Sequence, residues 1–158
     1  MTAREAVEAT PNLRGKWERG LQALRPEDKP HIRAADTFAL TGSVDVDTSL
    51  RRVREHADAN RWDFAIGYQH EDREAECLYW VELHTANDSQ VDVVLAKLRW
   101  LQRWLAGDGR LLRAFEKDFV WVSSGSTHYT LNGPQRRAFA DSGLRQTGGI
   151  LRIPKHRD

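Results

Sequence analysis

Apolar positions recur along the chain in two patterns, one typical of strands and the other typical of helices. Alternation of apolar and polar residues predicts five strands, over 38–46, 62–69, 75–86, 119–123 and, at an edge, 150–153. Helical spacing predicts helices over 48–60 and 89–106, and a proline in its first turn favours a short helix over 134–143. The order β-α-β-β-α-β-α-β predicts an α/β fold, with a mixed sheet of four or five strands flanked by helices.

The first 36 residues lack such a pattern. They are polar, contain three of the five prolines, and show at most a short helical stretch around 15–24. We interpret residues 1–36 as an N-terminal arm that packs on the rest of the chain through Trp17 and Leu21. Residues 37–158 are then a single α/β domain.

The composition restricts the class of protein. The chain has 158 residues, of which 40% are hydrophobic and six are tryptophan, enough for one folded domain with its own core. Its single cysteine, Cys77, excludes an intramolecular disulfide and a cysteine-based zinc site. No apolar run approaches the ~18 residues that span a bilayer, and the start of the chain has no apolar signal core. We therefore expect a cytoplasmic protein without a membrane partner.

Charge changes sign along the chain, although the formal net charge is only +1. Counting Lys and Arg against Asp and Glu gives +2 for residues 1–35, −8 for residues 36–94 and +7 for residues 95–158. One interpretation is an acidic metal site bordered by a phosphate-binding surface. The other is that the two halves neutralise each other in the fold.

A hairpin is predicted over 62–86, and its apolar rows indicate its register. Placing both rows on one side of the sheet sets Asp63 directly across from Glu82, with His84 one step further along the same face. Two facing carboxylates repel each other, so a divalent cation, a protonated carboxyl or an arginine must offset the charge. A register shifted by two residues would instead pair Asp63 with His84 in an ordinary hydrogen bond.

This arrangement resembles the core of the PD-(D/E)XK nuclease-like superfamily over about residues 38–123. The resemblance rests on a strand that begins with Asp63, a partner strand that carries Glu82-Leu83-His84, and the amphipathic helix that follows. It implies a restriction-endonuclease-like core in which Asp63 and Glu82 bind Mg²⁺ or Mn²⁺. His84 takes the place of the lysine that positions or activates the attacking water in that family.

From this resemblance we expect a metal-dependent nuclease that cleaves nucleic-acid phosphodiesters, or an inactive descendant of one. The metal ion would polarise the phosphate and lower the pKa of a bound water, whose proton His84 could accept. Lys97 on the following helix could replace the missing lysine, or could simply extend from an apolar stripe to solvent. Phosphate contacts are predicted for six arginines that could equally form a solvated helix face, namely Arg99, Arg103, Arg110, Arg113, Arg136 and Arg137.

The sequence leaves two other functions open. Trp100 and Trp104, one helical turn apart, could form an exposed stacking or homodimer surface of a non-catalytic module that binds protein or nucleic acid. Tryptophans at this spacing more often belong to the core. His128 lies in an H-x-T pattern, and a metal-independent ribonuclease could use His84 together with His128.

Overall fold

The computed structural model describes residues 1–123 and 132–157. Its helices are α1 (Ala3–Glu8), α2 (Val46–Leu50), α3 (Asp88–Ala106), α4 (Arg110–Arg113) and α5 (Gly133–Ser142). Its strands are β1 (Ile32–Ala34), β2 (Leu40–Asp45), β3 (Phe64–Tyr68), β4 (Cys77–His84), β5 (Glu116–Ser123), β6 (Leu144–Thr147) and β7 (Leu151–Ile153). Within these residues, no helix combines the length and the apolar character needed to cross a membrane.

Five of the strands form one mixed sheet in the order β2-β3-β4-β5-β6. The first three are antiparallel neighbours, whereas β5 runs parallel to β4 and β6 runs parallel to β5. A parallel pair needs a crossover connection, and the long helix α3 lies in the one from β4 to β5. The predicted α/β class and the mixed sheet of four or five strands are therefore confirmed.

Both faces of the sheet are buried, which explains why its central strands contain few polar residues. Successive residues of a strand point to opposite faces. Ala65 and Trp80 pack in a core that includes residues of α1 and α3, whereas Ile66 and Tyr79 pack in a second core with residues of β1 and β7. Trp80 is fully buried, as are the indoles of Trp62 and Trp121 in the same core.

The longest predicted helix is confirmed. The side chain of Asn87 accepts a hydrogen bond from the backbone amide of Ser89 and caps α3, which ends directly before Gly107. The short helix predicted over 134–143 is also present as α5, and Gly143 ends it with a φ of 77°, a conformation that glycine adopts without strain.

The helix predicted over 48–60 is wrong in length. Helix α2 begins after Asp45, whose side chain accepts a hydrogen bond from the Thr48 amide, and it ends at Leu50. Turns follow over 51–59, where the Arg61 guanidinium donates to the carbonyls of His56 and Ala57. Those carbonyls accept from a side chain five and four residues further along the chain, so a local alternative to helical hydrogen bonds competes with the apolar spacing that predicted a longer helix.

The N-terminal segment contributes a helix where none was predicted. Helix α1 buries Ala3 and Val7 in the α3-side core, whereas the short helix predicted around 15–24 is wrong, because that stretch forms turns. Trp17 and Leu21 are partly buried against the two cores. The division of the chain at residue 36 stays a prediction.

The last predicted strand exists but lies in a different sheet. Strand β7 pairs in parallel with β1 in a separate two-stranded sheet. The edge of the main sheet is instead β6, which the pattern did not indicate because only Leu144 of its four residues is buried.

Candidate active site

The hairpin of β3 and β4 has the register that the apolar rows predicted. Ala65 pairs with Trp80, and every pair of the ladder keeps the same offset. Continued by one pair beyond the ladder, this register sets Asp63 across from Glu82. The alternative register, in which Asp63 faces His84, is excluded.

Backbone amides at the end of this hairpin hold the two carboxylates. The Asp63 amide donates to Glu82 Oε1 at 3.2 Å, and the Leu83 amide donates to Asp63 Oδ2 at 2.9 Å. Each carboxylate thus accepts a hydrogen bond from the neighbouring segment at the point where the pairing of β3 with β4 ends. Glu82 is fully buried, and Asp63 is partly exposed.

Helix α3 brings Lys97 to this pair. Lys97 lies one turn from Val94 and Leu101, which are buried in the core, so its side chain extends toward the sheet. Its Nζ lies 2.5 Å from Glu82 Oε2, and 18% of the Lys97 side chain is exposed. The alternative in which Lys97 simply extends to solvent is therefore wrong.

His84 is a second cationic partner of Glu82. Its Nδ1 lies 3.3 Å from Glu82 Oε2, and its Nε2 contacts Gln90 Oε1. Both contacts are with oxygen atoms that accept hydrogen bonds, so both ring nitrogens donate, as they do in the protonated ring. The hydrogen bond to Glu82 raises the pKa of His84, and burial opposes this rise only in part.

Charge is incompletely balanced within this cluster. Burial, and after it the charge of Glu82, raises the pKa of Asp63 to about 7. Burial by itself would lower the pKa of Lys97, but the charges of Glu82 and Asp63 outweigh it, so this pKa is raised. Among the residues that the structure describes, no Lys or Arg forms an ion pair with Asp63. Asp63 therefore lacks the direct ion pair that Glu82 has, although the charge of Lys97 partly offsets the rise of its pKa.

A small cavity of about 160 Å³ opens beside Asp63. Three more aspartates and one arginine line it, namely Asp28, Asp45, Asp47 and Arg25. Asp45 pairs with Phe64 in the sheet, which places the end of β2 next to the start of β3. Asp47 is already paired, at 2.8 Å from Arg61 and 3.2 Å from Arg51.

The sequence analysis missed Asp45 and Asp47. The available signal was an Asp-x-Asp pattern at the end of the predicted strand over 38–46. That strand pairs with the one that follows Asp63 in an antiparallel sheet, so the end of one lies beside the start of the other.

The predicted phosphate-binding arginines lie outside this cluster. They are Arg99 and Arg103 on α3, Arg110 and Arg113 on α4, and Arg136 and Arg137 on α5. All six are exposed, and within the described chain none of them forms an ion pair with Asp63 or Glu82. Of the two interpretations of Trp100 and Trp104, the exposed surface is wrong and the core position is confirmed. The two rings stack at 6.0 Å and are 6% and 4% exposed, so they belong to the core. His128 lies outside the described residues.

A second group of possible metal ligands lies elsewhere in the described chain. One ligand atom from each of Glu55, His56 and Asp108 lies within 4.8 Å of the others. The Trp100 indole N–H donates to His56 Nδ1 at 3.4 Å, whereas His56 Nε2 makes no hydrogen bond within the described residues. Glu55 is exposed, so this group lies at the surface.

The donor atoms of Asp63 and Glu82 fit a hard divalent cation, because Mg²⁺ and Mn²⁺ prefer carboxylate oxygens. An ionised carboxylate offers about four lone-pair positions. Glu82 contacts the Asp63 amide, Lys97 and His84, whereas Asp63 Oδ1 makes no hydrogen bond to any described residue. Asp63 is thus the more open ligand, and burial together with the charge of Glu82 raises its pKa.

Comparison with known proteins gives no relative on which to base a function. No family model matches the sequence, and no curated protein and no solved structure matches it significantly.

Proposed function

We propose that the protein hydrolyses nucleic-acid phosphodiesters with Mg²⁺ or Mn²⁺, and that Asp63 and Glu82 are the ligands of the metal ion. The observation that carries the proposal is the convergence of Asp63, Glu82 and Lys97 at one end of the sheet. Strands β2, β3 and β4 are antiparallel neighbours in chain order, although helix α2 lies between β2 and β3, where the PD-(D/E)XK nucleases usually have a plain meander. This topology supports the proposal.

The side chains around the carboxylates have distinct roles in this proposal. A divalent cation, when bound, supplies a polarised phosphate and a water of lowered pKa. Lys97 places a positive charge beside Glu82, where it can hold a phosphate oxygen or a water. Its raised pKa keeps the ammonium group protonated, so Lys97 does not act as the base. His84, protonated through its two oxygen contacts, orients Glu82 rather than accepting the proton of the water.

The dimensions of the cavity favour a polymer over a small nucleotide as substrate. Its volume of about 160 Å³ is below the ~300–1,000 Å³ of typical small-molecule sites. It can accept a hydrated cation and a phosphate group, whereas a nucleoside must lie outside it. A phosphodiester within a longer strand meets this requirement, because its sugars and bases can lie on the surrounding surface.

The direct test measures cleavage of labelled DNA and RNA with Mg²⁺ or Mn²⁺ and, in parallel, with EDTA. We expect cleavage that requires the metal and that falls by more than about 100-fold in Asp63→Asn and in Glu82→Gln. Asp108→Asn makes the same chemical change in the group of Glu55, His56 and Asp108, and it should leave the rate unchanged.

Other outcomes would identify the alternatives. Cleavage that continues in EDTA and is lost in His128→Ala would contradict the proposal and support a metal-independent ribonuclease. If no cleavage occurs but Mn²⁺ raises the melting temperature of the wild type and not of Asp63→Asn, the protein is an inactive descendant that has kept its metal site. Absence of both effects would support a non-catalytic binding module.

A further inference from the structure

Another cavity, away from Asp63, combines apolar walls with two arginines, Arg33 and Arg152. We propose that this cavity, here called the arginine groove, binds a small phosphomonoester whose alcohol part is apolar and aromatic. The groove lies at the start of β2, where Leu40 lines it. Asp63 lies at the other end of that strand, next to Asp45. The inference therefore goes beyond the proposed function.

The two arginines lie side by side in the two-stranded sheet of β1 and β7. Arg33 pairs with Arg152 in the parallel register, so the two side chains leave the sheet on the same face, from strands about 4.8 Å apart. Their neighbours Ile32, Leu151 and Ile153 are buried on the other face, and both arginines are exposed. Like charges directly beside each other destabilise a sheet, and a bound anion would relieve that repulsion.

No carboxylate of the groove offsets this charge. The described residues that line the groove include no Asp or Glu, and neither arginine forms an ion pair within the ranges 1–123 and 132–157. Asp36 is the nearest carboxylate to Arg33 along the chain, but its Oδ1 accepts from the Phe38 amide at 3.0 Å. Two free guanidinium groups match the charge of about −1.5 to −2 and the three terminal oxygens of a phosphomonoester. A carboxylate carries only one negative charge.

The size and the walls of the groove indicate what the phosphate is attached to. The groove has a volume of about 630 Å³, within the ~300–1,000 Å³ of typical small-molecule sites. Apolar side chains from three separate parts of the chain line it, among them Leu21, Leu40 and Pro154. Inorganic phosphate would leave these walls in water, whereas an apolar body covers them and gains the free energy of burial.

An exposed aromatic ring beside the groove favours an aromatic ligand. Phe38 is 97% exposed, and the residue before it lines the groove. Hydrogen bonds fix the backbone on both sides of Phe38, because the Ala35 amide donates to the Ile153 carbonyl at 2.8 Å and the Gln69 amide donates to the Ala39 carbonyl at 2.9 Å. The fold therefore holds this ring in solvent at the groove, where an aromatic group of the ligand can pack on it.

The test measures binding of 1-naphthyl phosphate by isothermal titration calorimetry, in EDTA and without added metal. Inorganic phosphate and 1-naphthol, the two halves of this probe, are titrated in parallel. We expect 1-naphthyl phosphate to bind at least about tenfold more tightly than either half, because it contacts both the arginines and the apolar walls. No detectable binding of 1-naphthyl phosphate to the wild type at millimolar concentration would overturn the inference.

Two double variants separate the groove from positive charge in general. One combines Arg33→Gln with Arg152→Gln. The matched control combines Arg136→Gln with Arg137→Gln, which removes two exposed arginines of α5 that form no ion pair within the described residues. We expect the groove variant to bind 1-naphthyl phosphate about 30-fold or more weakly, and the control to keep wild-type affinity within about twofold. Thermal melting confirms that both are folded. Equal losses in the two variants, or an unchanged affinity in the groove variant, would overturn the inference.

Two further titrations test the kind of ligand. Phe38→Ala should weaken binding of 1-naphthyl phosphate by about three- to tenfold and leave binding of inorganic phosphate unchanged. An unchanged affinity for 1-naphthyl phosphate in this variant would overturn the aromatic character assigned to the ligand. A phosphotyrosyl peptide flanked by alanines that binds about tenfold or more tightly than 1-naphthyl phosphate would overturn the assignment to a small molecule, because the phosphate would then belong to a partner protein.

Discussion

The hairpin of β3 and β4 carries a buried polar cluster at each end, and the two clusters handle charge differently. At the turn end, His70 Nε2 contacts the Tyr79 hydroxyl at 2.7 Å, and both side chains are buried. Burial raises the pKa of Tyr79 to about 12, so its hydroxyl stays neutral. The neighbouring ions are nearer the surface, where Arg157 lies 2.9 Å from Glu116 and stacks over the Tyr79 ring.

At the other end, ionisable groups are buried without complete neutralisation. Glu82 is fully buried against Lys97 and His84, while Asp63 forms no direct ion pair among the described residues. Burying a charge costs free energy unless it is fully compensated, and replacement of such a pair by apolar residues often stabilises a protein. The turn end therefore has a structural explanation, whereas the charged end is what we expect of a site kept for its chemistry.

The largest predicted effect comes from removing Lys97 at the charged end of the hairpin, where Glu82 and Asp63 lie. Lys97→Met leaves Glu82 buried with His84 as its one cationic partner, and we expect a loss of about 3 kcal/mol in the free energy of unfolding. Urea denaturation in the absence of metal measures this loss in the free energy of unfolding. The matched change Arg145→Met removes an ion pair with Asp118 in which the arginine is 48% exposed, and it should cost less than about 1 kcal/mol.

A double variant tests whether the buried charge of Glu82 causes this loss of stability. If the charge of Glu82 is the cause, adding Glu82→Gln to Lys97→Met recovers much of the lost stability, because the buried charge is gone. If the double variant is no more stable than Lys97→Met, the loss comes from packing of the lysine stem, and the contrast between the two ends is overstated.

The second prediction concerns pH and Asp63. The folded protein holds the proton of Asp63 up to a pKa of about 7, whereas the unfolded chain releases it near the ordinary value of 3.8. Between these values the folded state binds more protons, so the stability of the metal-free protein falls as pH rises from about 4 to about 7. The difference between 3.8 and about 7 corresponds to about 4 kcal/mol, and because Asp63 is partly exposed to solvent we expect it to contribute about 2 kcal/mol to this fall.

Asp63→Asn should remove that contribution and make the metal-free protein more stable than the wild type above about pH 7. His84 has a raised pKa and adds a dependence of the same sign, so the difference between wild type and variant isolates Asp63. Chemical denaturation at several pH values provides the measurement. Parallel curves for the two proteins would mean that Asp63 titrates near its ordinary pKa.

How much of this site the sequence predicts depends on the range of the interactions involved. The register follows from strand parity, because Ala65 and Gly67 leave room across from Trp80 and Leu78. The bounds of α3 follow from local signals, the cap at Asn87 and the glycine after its end.

The remaining features depend on contacts between distant segments. The salt bridge of Lys97 with Glu82 requires that α3 pack with this side chain toward the sheet, and the early end of α2 goes with the ion pair of Arg61 with Asp47, fourteen residues earlier. Neither feature follows from a local pattern.

The smallest predicted effect lies at the turn end and sharpens the comparison. Tyr79→Phe removes the one hydrogen bond that the buried side chain of His70 makes within the described residues, and we expect a loss of about 1 kcal/mol in the free energy of unfolding. This cost should not change between about pH 7.5 and 9, because the Tyr79 hydroxyl is neutral throughout. Tyr68→Phe is the control, since its hydroxyl accepts from the partly exposed Asp36 amide, which can turn to water, and it should cost less. A cost for Tyr79→Phe that varies with pH as strongly as the Asp63 contribution would show that the turn end is also charged, and the distinction between the two ends would fail.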